Sequence, residues 1–363
     1  MNRLREVNDQ IDESVSGIVR RFRVEGGAVR MVVLLILAFG FFTLMKPKIF
    51  TDALNLQNIG LAVPEIGVLA LAMTVAMLSG GIDLSVVGIV DGAAIAMSLA
   101  FQAMQSIMGP AADGAWPVII LVGLAVGLLG GAINGLLIAF ARITPILATL
   151  ATMQIWNGLA IVVTNGNVMS KFPAPMAAMG QLAVIGVPLI FFMFVVIALV
   201  MGAVLSWTAL GRRIAMQGAN PVASRYSGID SRRTLMTTYL ISGLLAGVAA
   251  VLIVMRNPSA SADYFQSYTL LVIVIAVLGG TNPNGGFATV LGVVLAALTL
   301  QVVKSGFTAM RLSPYLYSIA QGAILIIIMI IDQTDFRRLF RRRAALSPQP
   351  DAQDAVTQET NPQ

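Results

Sequence analysis

The sequence predicts an all-α membrane protein: a polytopic transmembrane helical bundle of about ten spans, in two pseudo-repeated halves with Gly-broken helices, both termini cytoplasmic. Three observations predict it. Of 363 residues, 57% are hydrophobic and only 11% charged, against about a quarter charged in soluble domains. A soluble chain of this size could not bury so much apolar surface. Apolar runs recur along most of the sequence, and about 20 residues suffice for each crossing of the hydrocarbon layer. The basic residues alternate in density between the connecting stretches, as the positive-inside rule requires.

Residues 1–30 precede the first run. Leu4, Val7, Ile11, Val15, Ile18 and Phe22 recur at three- and four-residue steps, with Arg20, Arg21 and Arg23 at the end of the stripe. This predicts an amphipathic helix lying at the cytoplasmic face. A cleaved signal peptide is disfavoured, because acidic residues precede a late apolar run.

The ten apolar segments are Met31–Met45, Leu61–Leu78, Leu84–Ala103, Trp116–Phe140, Ile143–Val163, Leu182–Trp207, Thr234–Val254, Tyr268–Gly279, Phe287–Val303 and Pro314–Ile331. Together, residues 31–333 form the predicted membrane domain. The polar tail, 334–363, is rich in Pro, Gln, Asp and Thr and reads as cytoplasmic and largely disordered. With the N-terminus inside, 17 of the 23 basic residues fall on cytoplasmic stretches, including Arg142, the five arginines between 208 and 233, and Arg337–Arg343. Lys46, Lys48, Lys171, Arg256, Lys304 and Arg311 fall outside. An odd number of spans would place the Arg-rich tail outside, so ten fits.

An internal repeat emerges at an offset of 200 residues. Ala76-Met77-Leu78-Ser79-Gly80 aligns with Ala276-Val277-Leu278-Gly279-Gly280, and Val90 with Val290. Gly80 and Gly81 in one half, and Gly279, Gly280, Gly285 and Gly286 in the other, mark predicted helix breaks. Interrupted segments at corresponding points of two halves point to a path through the membrane. Tight turns between helices are the competing reading.

Composition excludes several chemistries. There is no Cys and no His, hence no disulfide, thiolate nucleophile, imidazole catalyst or Cys/His metal site. None of the four lysines follows a glycine, since Met45, Pro47, Ser170 and Val303 precede them, so there is no phosphate-cradling Gly-Lys motif. The net charge of +6 is explained by the cytoplasmic arginines and calls for no nucleic acid. Three acids fall at or near membrane depth. Glu65 reads as facing headgroups, Asp83 as an N-cap of the third span, and Asp91 as either a structural hydrogen-bonding group or an ion site.

The largest internal loop runs from 208 to 233. Asn220 is a good N-cap and Pro221 a good first helical residue, predicting a short helix from Val222 to Tyr226 ended by Gly228. Such a helix suits a docking knob for a soluble partner. A plain surface loop would explain the arginines but not this cap-helix-glycine pattern.

Several motifs together resemble the ribose/xylose/arabinose class of permease subunits of bacterial ATP-binding-cassette importers, over about residues 50–333. They are Gly80-Gly81-Ile82-Asp83-Leu84-Ser85-Val86; Ile133-Asn134-Gly135-Leu136-Leu137-Ile138 through Ile143-Thr144-Pro145 to Ala148-Thr149-Leu150; Gly211-Arg212-Arg213 with Gly218-Ala219-Asn220-Pro221 and Ser227-Gly228-Ile229; and Leu278-Gly279-Gly280-Thr281 with Gly285-Gly286. The chain departs from the family pattern at Asn282-Pro283-Asn284, at Phe287 and at Val87.

The resemblance implies a transport subunit without catalytic residues or a cofactor of its own, with ATP and Mg used by a separate cytoplasmic ATPase. It also implies a periplasmic or lipid-anchored sugar-binding protein, a second permease copy (the same chain or a related one), and the bacterial inner membrane. Arg212, Arg213, Gly218, Asn220, Pro221 and Gly228 would couple to the ATPase. Asp83, Asn134, Thr144, Thr149, Gln154 and Asn157 are candidates for the translocation path, because uncharged donors and acceptors suit sugar hydroxyls. Interhelical hydrogen bonding is the alternative use of the same groups. Trp156 within a span reads as core packing or as a ring-stacking group, while Trp116 and Trp207 read as interface anchors. The expected cargo is a pentose, hexose or sugar alcohol. Competing expectations are a nucleoside or autoinducer permease of the same kind, an ion-coupled secondary transporter and, weakest, a membrane-embedded enzyme.

Overall fold

The computed structural model describes residues 26–333. The expected amphipathic segment and polar tail lie outside them, except that Gly26–Arg30 open the first helix. The described chain forms two compact units, one through Tyr317 and a second beginning at Ser318.

Fourteen helices are described: α1 (Gly26–Met45), α2 (Pro47–Phe50), α3 (Ala53–Leu78), α4 (Val86–Met108), α5 (Trp116–Ala139), α6 (Pro145–Thr164), α7 (Ala174–Gln181), α8 (Leu189–Trp207), α9 (Ala209–Ala219), α10 (Pro221–Tyr226), α11 (Ser231–Arg256), α12 (Tyr268–Leu278), α13 (Val290–Ala309) and α14 (Pro314–Gln333). Among the described residues, seven helical stretches are long and apolar enough to cross a membrane. One of them, Val86–Ala139, is 54 residues long, and a 3₁₀ turn at Gly109–Ala115 divides it into α4 and α5. Every apolar segment expected from the sequence falls on a helix, although boundaries move. The sixth starts at Leu189 rather than Leu182, because Ala183–Val184 and Val187–Pro188 pair as a two-residue hairpin. Its turn places Ile185 and Gly186 at φ 55° and 79°, the paired positive values of a tight hairpin turn. The ninth starts at Val290 rather than Phe287.

Helix α3 is the axis of the first unit. It is buried without interruption from Ala62 to Leu78, as an all-round apolar helix must be. Helices α8, α11, α12 and α13 surround it. Helices α5 and α11 cross at backbone contact. A Cβ on Gly127 would lie 2.5 Å from the Gly243 carbonyl oxygen, and one on Gly243 would lie 2.6 Å from the Gly131 Cα. Lipid tails are as apolar as these helix faces, so close van der Waals packing, rather than expulsion of water, holds such pairs together. Helix α12 has 11 residues, roughly 16 Å, about half the hydrocarbon thickness.

Candidate functional site: two helix breaks, a polar network and a capped helix pair

The two breaks share one geometry. At the first, Gly80 N–H donates to Met77 O (2.9 Å) and Gly81 N–H to Ala76 O (3.2 Å). At the second, Gly280 N–H donates to Val277 O (2.9 Å) and Thr281 N–H to Ala276 O (3.0 Å). Gly80 and Gly280 have φ 86° and 92°. Each is a Schellman cap, in which a left-handed glycine turns the chain and satisfies the last helical carbonyls. The 200-residue repeat is therefore a repeat of structure. Beyond the cap the two differ. The first runs directly into α4, whereas the second folds on itself: Asn282 N–H donates to Phe287 O (3.0 Å) and Thr289 Oγ1 to Gly279 O (2.6 Å).

Asp83, fully buried just after the first break, anchors a polar network. Its Oδ1 accepts from Ser85 N–H (3.1 Å), Ser85 Oγ (2.6 Å) and Asn134 Nδ2 (3.5 Å), and its Oδ2 from Ser242 Oγ (2.7 Å). Asn134 Nδ2 also donates to Ser85 Oγ (2.6 Å), and Asn134 Oδ1 accepts from Thr152 Oγ1 (2.7 Å). Thr149 Oγ1 donates to Ile82 O (3.0 Å) or to Pro145 O (2.8 Å) one turn back. The network ties the break to α5, α6 and α11. The position capping α4 is occupied by Ser85, not Asp83, whose carboxylate instead holds the Ser85 amide. That corrects the N-cap expectation.

Of the six path candidates, Asp83, Asn134 and Thr149 thus converge. Thr144 and Gln154 lie exposed, and Asn157 is half-buried with its Oδ1 unpartnered. Ser85 and Ser242 complete the network and were not singled out from sequence; a lone serine on a small-residue helix carries no signal until its neighbour across 159 residues is known. Trp156 packs on α4, closing over Gly88 and Gly92, so it serves as core. Tyr239 Oη is buried beside Gly81 without a hydrogen-bond partner.

Glu65 does not face headgroups. It is buried in α3 and paired with Arg256 at the end of α11, Oε1 to Nη1 2.6 Å. Lys304 is near enough to interact with both, and its ammonium lies 5.7 Å from the centroid of the Tyr268 ring. Asp91 is buried with one carboxylate oxygen unpartnered, and the backbone amide of Phe265 faces the group.

The 208–233 segment is a capped helix pair. Thr208 Oγ1 accepts from Gly211 N–H (3.3 Å), starting α9 inside the stretch that the sequence predicts as loop. Asn220 Oδ1 accepts from Val222 N–H and Ala223 N–H, both 3.0 Å, capping α10 at Pro221. Gly228, at φ 78°, closes α10 with a third Schellman cap, and Asp230 caps α11. Arg212 and Arg213 are exposed, as are Val222 (61%) and Tyr226 (90%). The C-terminal end of α9 is seated on the breaks. Gly218 meets Leu78 O and Gly286 N, and Gly286 N–H donates to Leu78 O (3.0 Å), linking the two breaks.

Comparison with known proteins gives a consistent picture. Residues 55–329 match the family model described as branched-chain amino acid transport system / permease component. The ribose import permease protein RbsC of Bacillus subtilis (strain 168) is 31% identical over 294 residues, covering 80% of this chain and 88% of that protein. The autoinducer 2 import system permease protein LsrD of Salmonella typhimurium (strain LT2) is 28% identical over 317 residues, 86% and 92% of the two chains. LsrD of Escherichia coli O9:H4 (strain HS) is 31% identical over 271 residues, 73% and 79%. No solved structure matches.

Proposed function

This chain belongs to the family described as branched-chain amino acid transport system / permease component, and from that premise we propose that it carries a small sugar inward across the bacterial inner membrane. It is a multi-pass membrane permease, not an enzyme, and its ATPase is a separate subunit. The proposed topology is ten spans with both ends cytoplasmic, which puts α9 and α10 on the side where ATP is found. A cytoplasmic ATPase docks on that pair, and Arg212 and Arg213 offer donors to its carboxylates. A substrate-binding protein delivers cargo from outside, and a second permease copy completes the pore.

The observation that carries this reading is the capped α9–α10 pair: it exposes Arg212, Arg213, Val222 and Tyr226, while the end of α9 at Gly218 is seated on both helix breaks. A loop serving only topology needs neither three side-chain caps nor a seat. The sugar class is supported by similarity to a ribose import permease and by the uncharged Asn, Thr and Ser groups clustered at the first break. A permease for an autoinducer is the second reading, favoured by the similarity to LsrD.

The test is reconstitution in liposomes. The chain with its ATPase and binding protein takes up radiolabelled ribose when ATP is supplied, and the chain alone does not. Accumulation by the purified chain alone under a proton or sodium gradient would establish a secondary transporter instead.

A further inference from the structure

We propose that Gly218 keys the 208–219 segment into both helix breaks, so that these three pieces move as one body and force on α9 and α10 acts directly on the breaks. This rests on the proposed ATPase-driven function and specifies how the chain responds to its motor.

The contact is made of backbone. A Cβ on Gly218 would overlap Leu78 O of the first break and approach Gly286 N of the second to 2.7 Å. A Cβ on Gly285 would lie 2.8 Å from Gly218 O, 2.9 Å from Gly218 Cα and 2.8 Å from Gly80 Cα. One on Gly286 would lie 2.9 Å from Ala219 Cα. Chain positions 80, 218 and 285 therefore touch with no side chain between them. The Gly286 N–H to Leu78 O bond (3.0 Å) fastens one break to the other.

Such a junction has no slack. A contact through long side chains absorbs displacement by changing rotamer, whereas apposed main chains at van der Waals distance repel at once or separate altogether. Each break is also stiffened by its own Schellman cap. Gly228, by contrast, has nothing within 4 Å of its Cβ position, so it shapes α10 through its positive φ and not through contact. The first break leads within three residues to Asp83, whose hydrogen bonds reach α5 and α11. A displacement of α9 has a continuous path to the network without passing through α8, the helix to which it is joined in sequence.

The chain has no cysteine, so labels can be placed singly. Two experiments on the complete reconstituted importer test the proposal. In the first, Gly218→Val lowers ATP-driven uptake by about tenfold or more through overpacking of the junction, while the ATPase still co-purifies and hydrolyses ATP. Undiminished uptake overturns the proposal, as does loss of ATPase binding in proportion to uptake. Gly158→Ala, in open space on α6, is the control for glycine replacement. In the second, spin labels on Met216→Cys and Asn284→Cys, both exposed, report the distance between α9 and the second break. A second pair, Met216→Cys with Leu121→Cys on α5, reports movement relative to the bundle. Between the ATP-free and vanadate-trapped states the first distance stays fixed and the second shifts. A shift in the first distance, or none in either, overturns the proposal even if Gly218→Val fails to insert. If the wild-type complex shows no ATP-driven uptake, it is the transport reading that fails; if it transports and the first distance shifts, only the keyed junction fails.

Discussion

Removing Glu65 should destabilise the protein more than removing the arginine it pairs with. The pair joins α3 to the end of α11, with Glu65 Oε1 2.6 Å from Arg256 Nη1. The glutamate side chain is 8% exposed and the arginine 32%. Breaking a buried pair from one side costs about 3–5 kcal/mol, mostly for the charge left behind, and the partial exposure of Arg256 argues for the lower end. Glu65→Gln leaves two interacting cations, Arg256 and Lys304, without the carboxylate that balances them, for a cost of about 3 kcal/mol. Arg256→Gln leaves Glu65 with Lys304 still nearby, so the cost falls to about 2 kcal/mol. The double variant removes both partners and should lose about 3 kcal/mol rather than the sum, a coupling of about 2 kcal/mol. The assay is SDS titration of the protein in mild detergent micelles, followed by fluorescence of its three tryptophans, with all four members of the cycle measured together. Additive losses, or a larger loss for Arg256→Gln than for Glu65→Gln, would refute the argument that an orphaned charge sets the cost.

Three further outcomes follow from the same structure. Asn134→Ala removes a donor to Ser85 Oγ and the acceptor of Thr152 Oγ1 inside a fully buried network, and should cost about 2–4 kcal/mol in the same titration; Gln154→Ala, exposed on α6, should stay within about 0.5 kcal/mol. Gly131→Val forces a side chain against the Tyr239 carbonyl and the Gly243 Cα, both main chain, and should lose about 3 kcal/mol or fail to yield monodisperse protein, read by gel filtration after heating. Asn220→Ala strips α10 of its cap at a local cost of about 1 kcal/mol, which faster trypsin cleavage after Arg225 should reveal while the bundle melts unchanged. Equal cleavage rates would mean that the cap contributes nothing to holding α10.

Much of the bundle was legible because its signals are local. A helix in lipid must satisfy its own backbone, so an apolar run of sufficient length already says helix, and each of the ten runs falls on one. Asn220, Pro221 and Gly228 act within a few residues of themselves, and that geometry appears as expected. The repeated Ala-x-x-x-Gly pattern was readable because a Schellman cap needs only a glycine at C′ and four preceding carbonyls. Boundaries failed where a competing local structure lay inside an apolar run, as with the hairpin before Leu189. Helix α9 was missed because Thr208 capping Gly211 is weaker in sequence than Asn followed by Pro.

The sequence by itself determined the solvent, the helices, the missing chemistry and the places where the chain must bend, since hydropathy, glycine and the absence of Cys, His and a Gly-Lys motif act through composition or over a few residues. The tertiary structure alone decided the partners. Nothing near Glu65 in the chain announces Arg256, nothing near Asp83 announces Ser242, and nothing in the 208–233 loop says that Gly218 rests on Leu78 and Gly286. Those contacts join positions tens to hundreds of residues apart. They exist because buried charges and hydroxyls in a low-dielectric interior must find each other, and because only glycine lets two backbones close to van der Waals distance.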